Sequence, residues 1–343
     1  MHNFKKVLRT VLLFLLIVAV LSVGLMELYF HAERDIFQDG SERAALAGTL
    51  DYLFLGASHA YRGFNPAVID PILGTDSYNL SGALITMRGR YELLKLELSR
   101  NPVKTVVLEV SYNTMTRNRR QEGTEGDLYT MARLDRFFDR VGFFFGFYAA
   151  EYPDVYYKFV SEGADIILDK LEGKYSKDTR LRYRGYLPTG PRVYSFVTDY
   201  QSVYRTRWHW LQTEIDSYNM DYLDRIVALC EERNVELILV TTPLSKEFLC
   251  RYGDFDTSYT WYCDYAAAHG LYYVDFNLYR EKEALLPDLT MYYDELHLND
   301  EGADVFSRLF AELELRRAAG EDLSPLFYDS YAALSAAWGL NWD

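Results

Sequence analysis

The sequence predicts an α/β protein in which helices cover a parallel β-sheet, with a transmembrane helix at the N-terminus and a mostly helical insertion. Three observations lead to this prediction. Apolar runs of strand length alternate with runs of helix length over residues 51–113 and 220–315, an alternation typical of parallel sheets. A long apolar run without charges lies near the N-terminus. The alternation is lost over residues 114–215, which marks the insertion.

The N-terminal run predicts a membrane anchor. Basic residues precede an uncharged stretch from Val11 to Met26, and acidic residues follow it. About 16–20 apolar residues form a helix of roughly 24–30 Å, enough to cross the hydrocarbon core, and the charge bias places the N-terminus inside. A cleaved signal peptide is the alternative, but the run is long for one and has no clear cleavage site. We expect a cytoplasmic N-terminus over residues 1–10, an anchor over 11–30, a juxtamembrane linker over 31–50 and an extracytoplasmic remainder.

The first strands of the sheet are predicted before the insertion. A buried strand over Asp51–Leu55 is ended by a turn of small residues. A second strand is predicted near Ser77–Leu80, and a helix follows across Met87–Leu98. The Val-Val-Leu-Glu-Val run within Thr105–Val110 is apolar enough for a central strand, which is buried on both faces.

The alternation of strands and helices returns after the insertion. Strands are predicted over Glu236–Thr242 and Leu271–Asp275. Helices are predicted over about Met220–Arg233, Ser258–His269 and Ala303–Leu315. We therefore expect one α/β domain over residues 51–343, with the insertion inside it.

Charge limits the possible partners. The formal net charge of −14 excludes a general nucleic-acid-binding protein, because no positive field would attract phosphates. The insertion differs, since residues 114–210 hold 16 Lys and Arg against 13 Asp and Glu. Its arginines lie among aromatic residues, a composition suited to an anionic or sugar-containing polymer, although a solvated helical face is the alternative. Arg182, Arg184 and Tyr186 are the candidate substrate-binding residues of this region.

The sequence offers no pattern for a metal or a cofactor. The three cysteines, Cys230, Cys250 and Cys263, fit no zinc spacing. We expect three inert thiols, with a Cys250–Cys263 disulfide as the alternative. The six histidines show no metal-ligand pair, and no phosphate-cradling Gly-Lys-Ser/Thr loop occurs. The prediction is therefore chemistry by side chains alone.

A catalytic site is predicted where polar residues follow the strands. Ser58 follows the first strand, Gly82 the second and Asn113 the third, and ligands gather at this edge of a parallel sheet. His297 has the intrinsic pKa to accept the proton of Ser58, and Asp294 would orient its ring. The backbone N–H groups of Ser58 and Gly82 and the amide of Asn113 are candidate oxyanion donors. These residues together predict a Ser-His-Asp triad.

Each of these residues also has a structural alternative. A serine after a strand is often a helix N-cap, and Asp294 with His297 is also compatible with a surface turn. Gly82 is able to supply a positive φ angle, and Asn113 to cap a loop. His59, beside the serine, is a further candidate substrate-binding residue, and it suits a pocket wall or a structural role better than a base.

Four blocks of the chain resemble the SGNH (GDSL-type) hydrolase superfamily. They are Gly56-Ala57-Ser58-His59, Asn79-Leu80-Ser81-Gly82, Ser111-Tyr112-Asn113 and Asp294-Glu295-Leu296-His297-Leu298-Asn299. The resemblance implies a flavodoxin-like three-layer α/β/α fold, a nucleophilic serine, glycine and asparagine oxyanion donors, and a histidine paired with an aspartate three residues before it. Two departures are visible: Ala57 replaces the usual aspartate, and the third block lacks its Gly-x-Asn-Asp form.

The membrane-anchored form is similar to the DltD and alginate-acetylation groups of surface-polymer acylation proteins, which act with membrane-bound acyltransferases. The expected function is therefore an esterase or O-acyltransferase that handles O-acyl groups, with acetyl the expected group, on a cell-surface or secreted polysaccharide. Two alternatives remain at this point. The first is a non-catalytic protein that binds polymer or an O-acyltransferase partner, and the second is a lipase or phospholipase.

Overall fold

The chain divides into two units, and the second one contains the β-sheet. The first unit comprises Met1–Gly40 and Met131–Thr179, and the second comprises Ser41–Thr130 and Arg180–Asp343. The computed structural model of the chain describes residues 2–37, 46, 48–117, 123–174, 183–206, 214–253 and 255–340.

Five parallel strands form the sheet of the second unit. They are β1 (Tyr52–Leu55), β2 (Ser77–Asn79), β3 (Thr105–Glu109), β4 (Glu236–Thr241) and β5 (Tyr272–Asp275). Their order across the sheet is β2-β1-β3-β4-β5, which is the flavodoxin-like doubly wound order. The predicted α/β fold with a parallel sheet is confirmed. Because the order reverses between β1 and β3, the carboxyl ends of these two strands form the crevice where such folds bind ligands.

Before, between and after the strands, the described residues form α-helices. They are α1 (His2–Phe37), α2 (Ser58–Gly63), α3 (Pro66–Leu73), α4 (Met87–Leu98), α5 (Glu125–Arg133), α6 (Phe137–Phe144), α7 (Tyr152–Leu171), α8 (Tyr200–Arg205), α9 (Ser217–Arg233), α10 (Lys246–Arg251), α11 (Phe255–His269), α12 (Lys282–Leu285), α13 (Asp288–Met291), α14 (Asp300–Ala318) and α15 (Tyr331–Ala337). Helix α4 has the predicted bounds, and α9, α11 and α14 each begin three residues before the predicted starts.

The strand register sets the geometry of the sheet edge. Tyr52 pairs with Ser77 on one side and with Thr105 on the other, and Thr105 pairs with Glu236. The first residues of these four strands are therefore level. Since the strands are parallel and short, their carboxyl ends also lie along one edge of the sheet.

An aromatic core holds α2 and α14 on one face of the sheet. The rings of Phe54 on β1 and Phe64 after α2 are stacked, with centroids 4.5 Å apart. Phe306 and Phe310 on α14 each lie 5.2 Å from the Phe64 ring. All four side chains are buried, and a buried Phe contributes roughly 1.5–3 kcal/mol through the water it sheds. This packing fixes the short helix α2 over the end of β1.

The first unit is built from α1, α6 and α7. Helix α1 is long and apolar enough to span a membrane over Phe4–Phe30, as the sequence predicts. Its side chains are exposed along much of that length and become buried near its end, at Met26, Tyr29 and Phe30. The rings of Tyr29 and Phe159 of α7 lie 5.0 Å apart. The described part of the insertion therefore supplies helices that pack on α1.

The three cysteines lie in the second unit, and their state was predicted from the sequence. Cys230, Cys250 and Cys263 are all free thiols, so the alternative of a Cys250–Cys263 disulfide is wrong. Burial raises the pKa of the Cys230 and Cys250 thiols to about 12, which keeps them protonated and inert.

Candidate active site

Ser58, His297 and Asp294 form a continuous hydrogen-bonded chain. The Oγ atom of Ser58 lies 2.8 Å from Nε2 of His297. The other ring nitrogen, Nδ1, lies 2.8 Å and 2.9 Å from the two carboxylate oxygens of Asp294. This is the arrangement of a nucleophile, a general base and the carboxylate that orients the base.

The turn after β1 positions the nucleophile. Strand β1 ends at Leu55, Gly56 and Ala57 form the turn, and Ser58 is the first residue of α2. The N-cap position is held by Ala57, which has no capping side chain. The Ser58 hydroxyl bonds to His297 instead, so the N-cap alternative for Ser58 is wrong. Ser58 is half-buried, which leaves its hydroxyl reachable from solvent.

A self-capped turn positions the base. The Oδ1 atom of Asp294 accepts the backbone N–H groups of Leu296 and His297 at 2.9 Å and 2.8 Å. The N–H of Tyr293 donates to the His297 carbonyl at 2.8 Å. One carboxylate therefore holds both the backbone of the turn and the imidazole ring, so the capping role foreseen as an alternative coexists with the triad geometry.

The environment of the triad keeps its base neutral. Burial lowers the pKa of His297 below its usual value, and the electrostatic effects of His59 and Arg62 act in the same direction, although Asp294 opposes them. Burial alone would raise the pKa of Asp294, but its hydrogen bonds from His297 and from two backbone N–H groups lower it. A neutral imidazole beside an ionised carboxylate is the state that accepts a proton from serine.

A buried carboxylate accepts a hydrogen bond from the turn that precedes Ser58. Glu109, the last residue of β3, is fully buried, and its Oε2 accepts the N–H of Ala57 at 3.0 Å. The guanidinium of Arg90 lies 3.4 Å from the same oxygen and also donates to the Glu109 carbonyl. Burial by itself would raise the pKa of Glu109, but His59, Arg90 and the Ala57 N–H together lower it, so the carboxylate is ionised.

Gly56 is required by this contact. A Cβ atom at Gly56 would come within 2.6 Å of Cβ and 2.7 Å of Oε2 of Glu109. Only glycine therefore lets the turn approach the buried carboxylate.

His59 lies beside the base rather than in its place. Its Nδ1 is 3.5 Å from Oε1 of Glu109, and its ring centroid is 5.3 Å from that of His297. Its Nε2 is buried and has no hydrogen-bond partner in the described structure. His59 thus lies beside His297 and carries one buried polar atom without a partner in the described structure.

The predicted oxyanion donors differ in their surroundings. The N–H of Ser58 lies in the first turn of α2, where N–H groups lack a partner within the helix. The N–H of Gly82 donates to the Gly56 carbonyl at 3.3 Å, so it must release that bond before it can bind an oxyanion. Asn113 accepts from the Ser111 hydroxyl at 3.0 Å, and no described hydrogen bond joins it to Ser58 or His297. The Ser58 N–H is therefore the best-placed donor.

Two predicted substrate-binding residues have structural contacts instead. Arg184 pairs with Asp70 at 2.5 Å and Asp76 at 2.7 Å, beside the edge strand β2. Tyr186 is buried in the core, and its hydroxyl lies 3.4 Å from Asp300. Both residues hold the end of the insertion on the second unit, so the expected substrate contact is corrected to a structural role at these positions. Arg182 lies outside the described residues.

The insertion also contributes an active-site strap, defined as residues 187–197. The N–H of Val193 donates to the carbonyl of Tyr293, the residue before Asp294, at 3.0 Å. The Tyr194 hydroxyl donates to Glu247 at 3.1 Å and to Glu295 at 3.4 Å. The strap therefore braces the turn that carries the base. Among the described residues, no group of three or more His, Cys, Asp or Glu side chains is arranged to bind a metal ion.

Sequence reasoning missed Glu109, Arg90 and Arg62. Glu109 and Arg90 lie in segments that read as an apolar strand and a helix, and their role appears only when the two segments meet. Arg62 follows Ser58 by one helical turn, so its place near the site follows from the helix that starts at Ser58. A prediction of a short helix after Ser58 would have placed Arg62 near the site.

Replacement of Glu109 by glutamine should destabilise the protein. Arg90 would then keep a buried charge without its carboxylate, and removal of one partner of a buried pair typically costs about 3–5 kcal/mol. Glu92→Gln is the control, because Glu92 lies on α4 and pairs with the exposed Lys95. Its effect should stay within about 0.5 kcal/mol. Thermal unfolding of the full chain in detergent measures both, and equal stability of the two variants would contradict the role of Glu109.

The His297 ring should titrate below pH 6.5. Because burial and the electrostatic effects of His59 and Arg62 lower its pKa, the neutral ring persists to lower pH than in a free histidine. Arg62→Met removes one positive charge and should raise this pKa, whereas Arg62→Lys should leave it nearly unchanged. NMR titration of labelled histidines, with His297→Gln for assignment, measures the shift. A midpoint above 6.5, or one that Arg62→Met leaves in place, would contradict this reading of the site.

Comparison with known proteins does not assign the chain to a family. No protein-family model matches the sequence, and no curated protein matches it at a significant level. Any functional conclusion therefore depends on the geometry of the site and on the sequence motifs.

Proposed function

We propose that this chain is a single-pass, membrane-anchored SGNH-like serine esterase or O-acyltransferase. The observation that carries the proposal is the 2.8 Å contact between Ser58 Oγ and His297 Nε2, with Asp294 on the far side of the ring. Three residues separated by as many as 239 positions meet in the order that acyl transfer requires.

The proposed mechanism begins with proton transfer from Ser58 to Nε2 of His297. The Ser58 oxygen attacks the ester carbonyl, and the Ser58 N–H stabilises the oxyanion of the tetrahedral intermediate. Collapse of this intermediate breaks the ester bond, and His297 gives its proton to the leaving alcohol. Asp294 stabilises the imidazolium while it exists. The acyl group is then bound to Ser58.

The second half of the reaction returns the enzyme to its starting state. A hydroxyl group attacks the acyl-serine, His297 accepts its proton, and the same proton then returns to Ser58. Water as the attacking group gives an esterase, and a sugar hydroxyl gives an O-acyltransferase. The two activities use the same residues, so they differ only in which acceptor occupies the space beside His297.

The proposed substrate is an O-acylated polysaccharide outside the cell, with acetyl the expected acyl group. Support comes from α1, whose N-terminal basic residues and apolar length favour a cytoplasmic N-terminus with the catalytic unit outside the membrane. The resemblance to surface-polymer acylation proteins supports the same location and suggests a membrane-bound O-acyltransferase as partner. The acyl donor in that case is supplied by the partner.

Two alternative functions differ in what they require of Ser58. A non-catalytic protein that binds polymer or the acyltransferase partner would have no use for the ordered Ser58–His297–Asp294 contacts. A lipase or phospholipase would need an apolar funnel at the serine. The described neighbours of the triad include His59, Arg62 and Glu109, which are polar or charged, and this favours a polar ester.

Replacement of Ser58 by alanine should abolish covalent chemistry at the site. Full-length protein in detergent should hydrolyse p-nitrophenyl acetate and become labelled by a fluorophosphonate probe. Ser58→Ala should lower the rate by about 10⁴-fold or more, to the uncatalysed background, because no other group forms the acyl-enzyme. Ser99→Ala, on the exposed end of α4, is the control and should match the wild type.

The two readouts separate the candidate functions. Labelling at Ser58 with little hydrolysis of the ester identifies a transferase that awaits its acceptor or partner. Equal rates for Ser58→Ala and wild type, together with no labelling of either, would overturn the catalytic proposal and favour the binding protein. A strong preference for long-chain over acetyl esters would favour the lipase.

A further inference from the structure

An uncharged aromatic segment connects α6 to α7 in the first unit. Residues 141–150 read Val-Gly-Phe-Phe-Phe-Gly-Phe-Tyr-Ala-Ala, with Arg140 before them and Glu151 after them. Three of the phenylalanines are buried, but Phe145 is 51 % and Tyr148 53 % exposed. Isolated exposed aromatic residues are ordinary, whereas a charge-free run that presents several of them marks an interaction surface.

The helices on either side of this segment form a hairpin against α1. At one level, the Tyr156 hydroxyl of α7 lies 2.6 Å from the Ser22 hydroxyl of α1. Further along, Phe159 lies against Tyr29, so α7 runs in the same direction as α1. Helix α6 runs the opposite way: Arg140 pairs with Glu27, and Phe144 packs on Tyr156. The tip of the hairpin, residues 145–151, therefore points toward the N-terminal part of α1.

The position of the tip along α1 follows from helix geometry. Glu151 precedes Tyr156 by five residues, and at about 1.5 Å per residue the tip lies roughly 7 Å beyond the Ser22 level. Along that stretch, the α1 side chains are still bare, including Ile17 at 49 % and Leu21 at 68 % exposure. The exposed aromatic residues thus lie where the bare apolar length of α1 gives way to the covered length.

We propose that the hairpin tip enters the outer half of the bilayer that α1 crosses, with Phe145 and Tyr148 against lipid. This inference rests on the membrane anchor of the proposed function. Lipid chains accept aromatic side chains, and the absence of charge over residues 141–150 removes the main cost of entering the bilayer. The apolar surface of the tip is also continuous with the bare surface of α1, so one lipid phase covers both. The first unit would then be fixed to the membrane at two places.

Depth-dependent quenching in lipid tests the proposal. The full chain with Cys263→Ser, whose two remaining cysteines are buried, receives one further cysteine for an NBD label. The labelled variants are Phe145→Cys, Tyr148→Cys, Ile17→Cys as the lipid control and Leu171→Cys as the water control. Leu171 is 79 % exposed and lies at the other end of α7, about 30 Å from the tip. In nanodiscs that contain brominated phospholipid, we expect at least a twofold loss of emission at 17, 145 and 148 and none at 171.

Each outcome bears on a different claim. Quenching at 17 without quenching at 145 or 148 would overturn the seating of the hairpin and leave the anchor intact. No quenching at 17 would overturn the anchor itself. In native membranes, a photo-crosslinker at 148 that reacts with lipid supports the proposal. One that yields a discrete protein adduct would overturn it in favour of a membrane-embedded partner. Hydrolysis by each labelled variant is measured separately, so loss of activity is not mistaken for loss of membrane contact.

Discussion

The contacts among Ser58, His297 and Asp294 depend on a buried negative charge at the end of the central strand. An ionised carboxylate without partners would cost several kcal/mol, so Glu109 has to be paired wherever it is buried. Its partners are the Ala57 N–H, the Arg90 guanidinium and, at longer range, His59. These contacts tie β3 and α4 to the turn after β1. The position of Ser58 is consequently linked to the pairing of Glu109.

The base is held by an independent set of contacts. Asp294 closes its own turn through two backbone N–H groups, and the strap from the insertion bonds to Tyr293 beside it. The Ser245 hydroxyl also donates at 2.8 Å to the carbonyl of Glu295, which is the residue after Asp294 in that turn. Because the nucleophile and the base are fixed separately, their 2.8 Å contact is set by the packing of the core between them. That core, centred on Phe54, Phe64 and Phe306, is apolar and tightly interlocked.

Sequence patterns predicted the features that local chemistry determines. The strands, helix α4 and the residues of the triad all follow from apolar periodicity and from polar residues at strand ends. The role of Glu109 could not be predicted, because this residue lies in a run typical of a buried strand. The local sequence does not indicate which face of that strand contacts Arg90. The substrate-binding prediction for Arg184 and Tyr186 failed for a different reason. Arginine and tyrosine are suited both to binding a substrate and to structural contacts. Only the contacts of these residues with Asp70, Asp76 and Asp300 indicate the structural role.

The neighbours of His297 bear on the choice between water and a sugar hydroxyl as acyl acceptor. The acceptor must reach the serine-bound acyl group while its proton faces Nε2, so any group that fixes its orientation raises the rate of transfer relative to hydrolysis. His59 lies beside His297, with ring centroids 5.3 Å apart, and its Nε2 is buried without a partner in the described structure. A hydroxyl that displaced the atoms covering this nitrogen would gain a full hydrogen bond. Water is able to use the same bond, but it brings no further contacts. A polymer would add contacts along the strap, and the strap is braced against the turn that carries the base. Under the proposed function, binding energy gained far from the reacting atoms would then be available to position the acceptor and would favour transfer.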